Sequence, residues 1–321
     1  MAVTQPAALR FDRRAFIQRF GLVFSFLLLM LALTLLSDRF LTPSNLINIL
    51  RQATINGIVS VGMTLVILTG GIDLSVGSVL ALAVTIGASL MKQGQPVGLA
   101  VLAALGIGTL LGVINGLMIT KARIPPFIAT LGMLTVARGL TLMYTQGQPI
   151  TGLPASFRWI GTGVVGGIPV PIVLMGLVFL IGWIFLTRTR YGAYVYLLGD
   201  NPTAARLAGI PTERITVLVY AISGFCAALA GLVLVARLDS AQPIIGQGYE
   251  FNAIAAVVVG GTSFAGGEGG LGGTLLGALL IETLNNGLNL LNVSPLWEQV
   301  VKGVVIALAL LLYKAFSPPS R

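Results

Sequence analysis

Residues 97–120 read VGLAVLAALGIGTLLGVINGLMIT, a run with no charged residue. A helix that crosses a bilayer needs about 20 mainly apolar residues, and this segment meets that length without interruption. Similar runs lie on both sides of it, at 20–36, 53–68 and 74–91 before it and at 127–144, 171–186, 215–235, 251–259, 271–291 and 300–312 after it. Ten spans are therefore expected, all helical. No polar stretch between them is long enough to fold alone, so 20–316 is read as a single polytopic all-α transmembrane domain. A segment 1–19 precedes it and a tail 317–321 follows. The run at 251–259 is the weakest, because it spans only by continuing into Gly260 and Gly261 or by stopping inside protein.

Composition points the same way. Of 321 residues 56% are hydrophobic and 9% charged, whereas soluble proteins carry about 25% charged residues. With no His and one Cys, Ser/His/Asp hydrolysis, His-ligated metals and disulfides are excluded. No catalytic residue, metal or cofactor is expected in this chain, and Cys226 reads as a small packing residue. The formal charge of +9 is not a nucleic-acid footprint, since the basic residues sit at the ends of apolar runs. With the amino terminus inside, twelve of the nineteen Lys and Arg fall on the inner side and five on the outer, with Arg138 and Lys302 within or at the edge of spans. Positively charged loops stay cytoplasmic, so both termini are expected there. The start, FDRRAFIQRF, resembles a twin-arginine export signal but lacks a small-residue cleavage pattern and is read as a retained anchor.

Between the first two runs, 44–51 reads as a short separate helix on the outer surface with Ser44 as its cap. Trp159 and Trp297 lie near span ends, where aromatic rings anchor at the interface. Glycine pairs punctuate the chain, and LTGGIDLSVGSVLAL and VVGGTSFAGGEGGLGGTLLGAL share that punctuation, a hint of internal repetition.

The connector 187–214 carries the most information. Within TRTRYGAYVYLLGDNPTAARLAGIPTERI, a turn is expected at Gly199, Asp200, Asn201 and Pro202, then a short helix from 203 to 208 stopped by Gly209 and Ile210. A short capped helix on the membrane surface has no lipid to cross and suits a partner's groove. LGDNPTAARLAGI resembles the coupling loop of the permease subunits of bacterial sugar ABC importers. So do VGMTLVILTGGIDLSVGSVLAL, FIATLGMLTVARGLTLMYTQGQPI, ARLDSAQPIIGQGYEFNAIAAVVVGGTSFAGG and LNNGLNLLNVS, in order, from Asn45 to Lys314. Ribose-type members are the most similar, with departures at Asn252 and Glu268. Branched-chain amino acid permeases are more distant, because GIDLSVGS is a sugar-type signature.

The resemblance implies a type II importer permease acting as a homodimer in the bacterial inner membrane. Its partners would be a sugar-type ATPase that binds ATP and Mg, and a periplasmic sugar-binding protein. The cargo would be a monosaccharide, ribose or a related pentose, with xylose or galactose as alternatives. No GxxxxGK[ST] phosphate loop occurs here, so this chain is not the ATPase. Gly199, Asn201, Pro202, Ala204, Ala205, Arg206, Gly209 and Ile210 would contact the ATPase, and Gly70, Gly71, Asp73, Ser75, Gly77 and Ser78 form the family signature.

Ionisable and amide groups within spans need a reason. Glu282, Asn285, Asn286 and Asn289 make one stripe of the ninth span, either a pathway lining for neutral sugars or interhelix glue. Asp73 is expected to cap the third span or pair with a base of the coupling loop. Arg138, deep in the fifth span, is expected either to pair with a carboxylate such as Asp73 or Glu282 or to contact the pathway. On the outside, Gln146, Gln148, Asp239 and Glu250 are candidate contacts for the binding protein. Two other classes remain open at this point, an ion-coupled secondary transporter using Glu282 and Arg138, and a channel or structural membrane protein.

Overall fold

The computed structural model describes residues 13–294 and positions 297, 300, 303 and 304. The expected tenth span at 300–312 lies outside the described residues apart from those single positions, as do the tail at 317–321 and the first part of 1–19. The described helices are α1 (Arg13–Leu36), α2 (Pro43–Leu68), α3 (Val76–Lys92), α4 (Val97–Thr120), α5 (Pro126–Thr145), α6 (Ala155–Thr162), α7 (Val170–Arg188), α8 (Arg190–Asp200), α9 (Pro202–Leu207), α10 (Thr212–Leu238), α11 (Tyr249–Val259) and α12 (Leu271–Leu290). Two small antiparallel pairs join β1 (Ile150–Thr151) to β4 (Ser240–Ala241) and β2 (Val164–Val165) to β3 (Ile168–Pro169).

Among the described residues five helices, α2, α4, α5, α7 and α10, are long and apolar enough to cross a membrane. Gly21–Leu36, α3 and α11 are shorter apolar helices. The chain is a multi-pass helical membrane protein. Helices α2 and α10 sit at its centre and are buried along most of their length, whereas α4, α5 and α7 turn most of their surface outward.

Glycine allows close helix contact between α4 and α10. On α4, Gly108, Gly112 and Gly116 lie one turn apart and meet Gly224, Tyr220 and Val217 of α10. A Cβ at Gly224 would overlap the Gly108 carbonyl, and one at Gly112 would overlap that of Tyr220. In lipid, where tails are as apolar as leucine, this backbone approach supplies the packing energy that holds helices together.

Two expectations are corrected. Residues 44–51 are not a separate surface helix; they are the first turns of α2, which runs unbroken from Pro43 and is capped by Thr42 rather than Ser44. Nothing between Arg51 and Ala53 breaks the helix, and Ile49 is buried beside Leu33 and Phe40. Gly199 and Asp200 do not turn the chain, since both belong to the last turn of α8, leaving Asn201 alone between two helices. The short helix α6 and the β2–β3 hairpin carry no apolar run of spanning length and were not anticipated. Buried Phe157 and Gly161 hold α6 against the end of α10, and Trp159 projects outward.

Among the described residues, non-helical backbone also enters the interior. Between α2 and α3, the Ile72 carbonyl accepts bonds from Tyr220 at 3.2 Å and Thr130 at 3.3 Å, and Tyr220 lies two turns inside α10. Between α10 and α11, residues 242–246 descend beside α3 until Gly246 meets Gly77. At 1.5 Å per residue, Gly77 is about 22 Å from Lys92 along α3, most of the way through a hydrocarbon core of about 30 Å. Helix α11 thus starts at depth and runs only partway across, ending where Gly260 packs on Gly273. The segment at 251–259 is short because it stops inside protein.

Replacing Gly224 by Val should destabilise the fold by about 1–3 kcal/mol through overpacking against α4, read as a lowered thermal unfolding midpoint in detergent. An unchanged midpoint would show that the α4–α10 contact is slack.

Candidate functional site

On one face of the molecule α8 and α9 form a docked pair. Thr189 Oγ1 accepts from Gly192 N at 3.2 Å to start α8. Asn201 then caps α9, its Oδ1 accepting from Thr203 N at 3.1 Å and Ala204 N at 2.9 Å, with Pro202 in the first turn. At the other end Gly209 has φ 77°, Gly209 N donates to Arg206 O and Ile210 N to Ala205 O, each at 3.1 Å. This paired closure by a left-handed glycine satisfies the last carbonyls of a six-residue helix. Ala205 is buried beneath α9, while Pro202, Thr203, Ala204 and Arg206 face out and Leu207 is 85% exposed. Leu207, which the sequence reading omitted, is the apolar knob of this surface.

Gly199 does not face outward with them. It is buried, and a side chain there would overlap the Leu68 carbonyl at the end of α2 and the Gly267 amide. Gly267 N donates to Leu68 O at 3.0 Å, and Tyr196 Oη donates to Gly269 O at 3.0 Å. Burial raises the Tyr196 pKa above its ordinary 10, so its hydroxyl stays a donor. The two similar glycine-rich stretches of the sequence therefore meet at one junction with the end of α8.

Asp73 is 1% exposed, and its partners are hydroxyls rather than a base. Oδ1 accepts from Ser75 N at 3.0 Å and Ser75 Oγ at 2.6 Å, and Oδ2 accepts from Ser223 Oγ at 2.8 Å. Asn115 Nδ2 donates to Ser75 Oγ at 2.8 Å. Asp73 fixes the entry of α3 through the Ser75 amide and ties it to α4 and α10. The expected pairing with a coupling-loop base is not seen. Ser78 Oγ closes the first turn on Ser75 O at 2.9 Å, Gly70 has φ 75°, and Gly71 leaves room for the Tyr220 hydroxyl. Ser223 and Asn115 were legible only as lone polar residues in apolar runs.

Arg138 lies more than halfway along α5, and neither Asp73 nor Glu282 is its partner. Its Nη1 donates to Pro243 O at 2.8 Å and Ile245 O at 2.9 Å, and Nη2 donates to Gly77 O at 3.4 Å. It supplies donors to descending backbone that has no ladder of its own. Glu250 is corrected from an outer contact to a buried group, 6% exposed, in the first turn of α11 beside this cluster. Its Oε1 accepts from Gly248 N at 3.3 Å, and its Oε2 lies close enough to Gly77 that a Cβ there would strike it.

The α12 stripe faces inward. Glu282, Asn285 and Asn286 are 7%, 5% and 4% exposed, and Asn289 is exposed. Asn286 exchanges two amide bonds with Asn45 of α2, at 2.9 and 3.0 Å, while Asn285 Nδ2 donates to Glu282 Oε2 at 3.3 Å and Asn289 Nδ2 to Asn285 O at 3.0 Å. Asn45 was missed because its segment reads as a short helix on the outer surface. On the far face Gln146 and Gln148 are exposed. Asp239, with φ 52°, accepts from Leu153 N at 2.9 Å and pairs with Arg158 at 3.6 Å. Cys226 is buried.

Residues 45–310 match the family model described as branched-chain amino acid transport system / permease component. The chain is 49% identical over 311 residues to the ribose import permease protein RbsC of Bacillus subtilis strain 168, covering 96% of each chain. It is 48% identical over 307 residues to the protein of that name in Escherichia coli K12, covering 94% of this chain and 96% of the relative. With the D-allose transport system permease protein of Escherichia coli K12 it shares 40% identity over 281 residues, 87% of this chain and 86% of the relative. No solved structure matches the chain.

Replacing Asn286 by Leu should cost about 1 kcal/mol, because the part-buried Asn45 amide loses both bonds to it and keeps only the Phe40 carbonyl. The double variant Asn45→Leu/Asn286→Leu should lose less than the two single losses combined. A double-mutant cycle on unfolding midpoints reads this coupling, and strict additivity would show that the amides do not interact.

Proposed function

The chain belongs to the branched-chain amino acid transport system permease family, and from that premise we propose that it is the membrane subunit of an ATP-driven importer that carries ribose. It is a transporter subunit and not an enzyme, as its permease relatives are. Ribose is favoured over other sugars by identity, 48–49% to ribose import permeases against 40% to a D-allose permease and 34% to a xylose permease. The working unit would be two copies of this chain with a sugar-type ATPase, which holds ATP and Mg, and a periplasmic binding protein. The inner membrane is the expected location, with ten spans and both termini cytoplasmic.

One observation carries the coupling reading, the outward α9 with Leu207 at its crest. Burying that side chain in a partner's groove contributes about 2 kcal/mol, and Arg206 beside it offers a directional contact. Asn201, Pro202, Ala204, Gly209 and Ile210 shape this helix, whereas Ala205 and Gly199 seat it on the rest of the chain. Closure of the ATPase would press on α9, and the Gly199 junction would pass the displacement to the ends of α2 and to the loop before α12. Gln146 and Gln148 lie on the opposite face, where a binding protein would dock, and the Asp239–Arg158 pair braces that surface. The ion-coupled reading is less well supported, because Arg138 is committed to backbone carbonyls and Glu282 is enclosed.

Leu207→Asp should abolish copurification with the ATPase and lower ATP-driven ribose uptake in proteoliposomes at least ten-fold, with the chain still inserted and folded. Gly199→Ala should keep the ATPase bound yet lose uptake to a similar degree. Unchanged uptake in both would overturn the coupling role of α9.

A further inference from the structure

The backbone that Arg138 clamps carries two side chains with no evident structural employment. Gln242 and Gln247 are exposed, and neither side chain makes a hydrogen bond among the described residues. Ile244, between them, is 61% exposed, while Pro243, Ile245 and Gly246 are buried against α3 and α5. The loop thus shows one face to the protein and one outward, along a descent through the middle of the membrane that ends at Gly77, about 22 Å along α3 from Lys92.

That depth decides what the outward face meets. An open amide or irregular backbone at the middle of a bilayer is not tolerated against lipid, and occurs only where protein or a water-filled cavity covers it. The groups presented are neutral, and amides both donate and accept, which matches the alternating hydroxyls of an uncharged sugar. Helices α3 and α11 both begin here, as interrupted helices do around mid-membrane substrate sites.

We infer that Gln242 and Gln247, on the loop clamped by Arg138, form the mid-membrane contact surface for a neutral monosaccharide and set which sugar passes. Chain and clamp hold the loop, and the two amides read the cargo. The inference rests on the importer reading above and adds the site that the cargo touches.

Two measurements test it. In a Cys226→Ala background, Gln242→Cys and Gln247→Cys should react with a membrane-impermeant maleimide in the assembled importer, and ribose delivered with the binding protein should slow the reaction. The control Leu102→Cys, on the lipid-facing side of α4 at 68% exposure, should stay unlabelled. Gln242→Leu and Gln247→Leu should each lower ribose uptake about ten-fold, the worth of one lost hydrogen bond, with ATPase stimulation by loaded binding protein retained. Gln242→Asn should alter the ratio of ribose to allose uptake. Absence of labelling, labelling that no pentose or hexose slows, or uptake within two-fold of the unsubstituted chain would each overturn the inference. Failure of the importer reading itself would appear separately, as no ATP-dependent uptake by the unsubstituted chain.

Discussion

The contact on which the rest depends is one of backbone on backbone. Gly199 in the last turn of α8 rests on the Leu68 carbonyl and the Gly267 amide, and Gly267 in turn donates to Leu68. At this point no side chain stands between the end of α8 and the end of α2, so no rotamer there can absorb a push. Close-packed interiors have low compressibility and transmit strain. A displacement of α9 would therefore reach α2 with little damping, and Tyr196 on Gly269 adds a second point of attachment. The α4–α10 seam follows the same rule with Gly108, Gly112 and Gly224.

The second theme is how irregular backbone survives at membrane depth. Around Ile72 the orphan carbonyl is met by Tyr220 and Thr130, and the turn is held by an Asp73 carboxylate shared between Ser75 and Ser223. Around 242–246 the carbonyls are met by one guanidinium. Each solution places a long or charged side chain from a continuous helix against a break in a neighbour. Membrane interiors require such satisfaction, because no water replaces a missing partner. Asp73 and Arg138, the two charges most exceptional in the sequence, are both explained by the breaks beside them.

Much of this was legible in the sequence. The run at 97–120 coincides with α4, and 271–291 with α12 to within a residue, since apolar length alone defines a buried or lipid-facing helix. The stop at Gly209 was legible because helix closure by glycine is local chemistry, whereas Asn201 reads as part of a turn and proves to be the cap. What was not legible was long-range. Nothing near Glu250 shows that its loop dives beside α3, so its charge reads as surface. Nothing near Asn45 reveals Asn286, far along the chain. Gly199 reads as a turn residue because glycine so often is one, yet here it serves as a contact that tolerates no Cβ. Arg138 was correctly singled out as too deep for decoration, but a carboxylate was sought where three carbonyls stand.

That choice of carbonyls has an evolutionary consequence. A guanidinium that grips main chain is indifferent to which side chains the gripped segment bears, so positions 242, 244 and 247 are free to drift while the loop keeps its shape. A lineage can then trade one cargo for another by point changes on a rigid shelf, without rebuilding the architecture that carries the shelf.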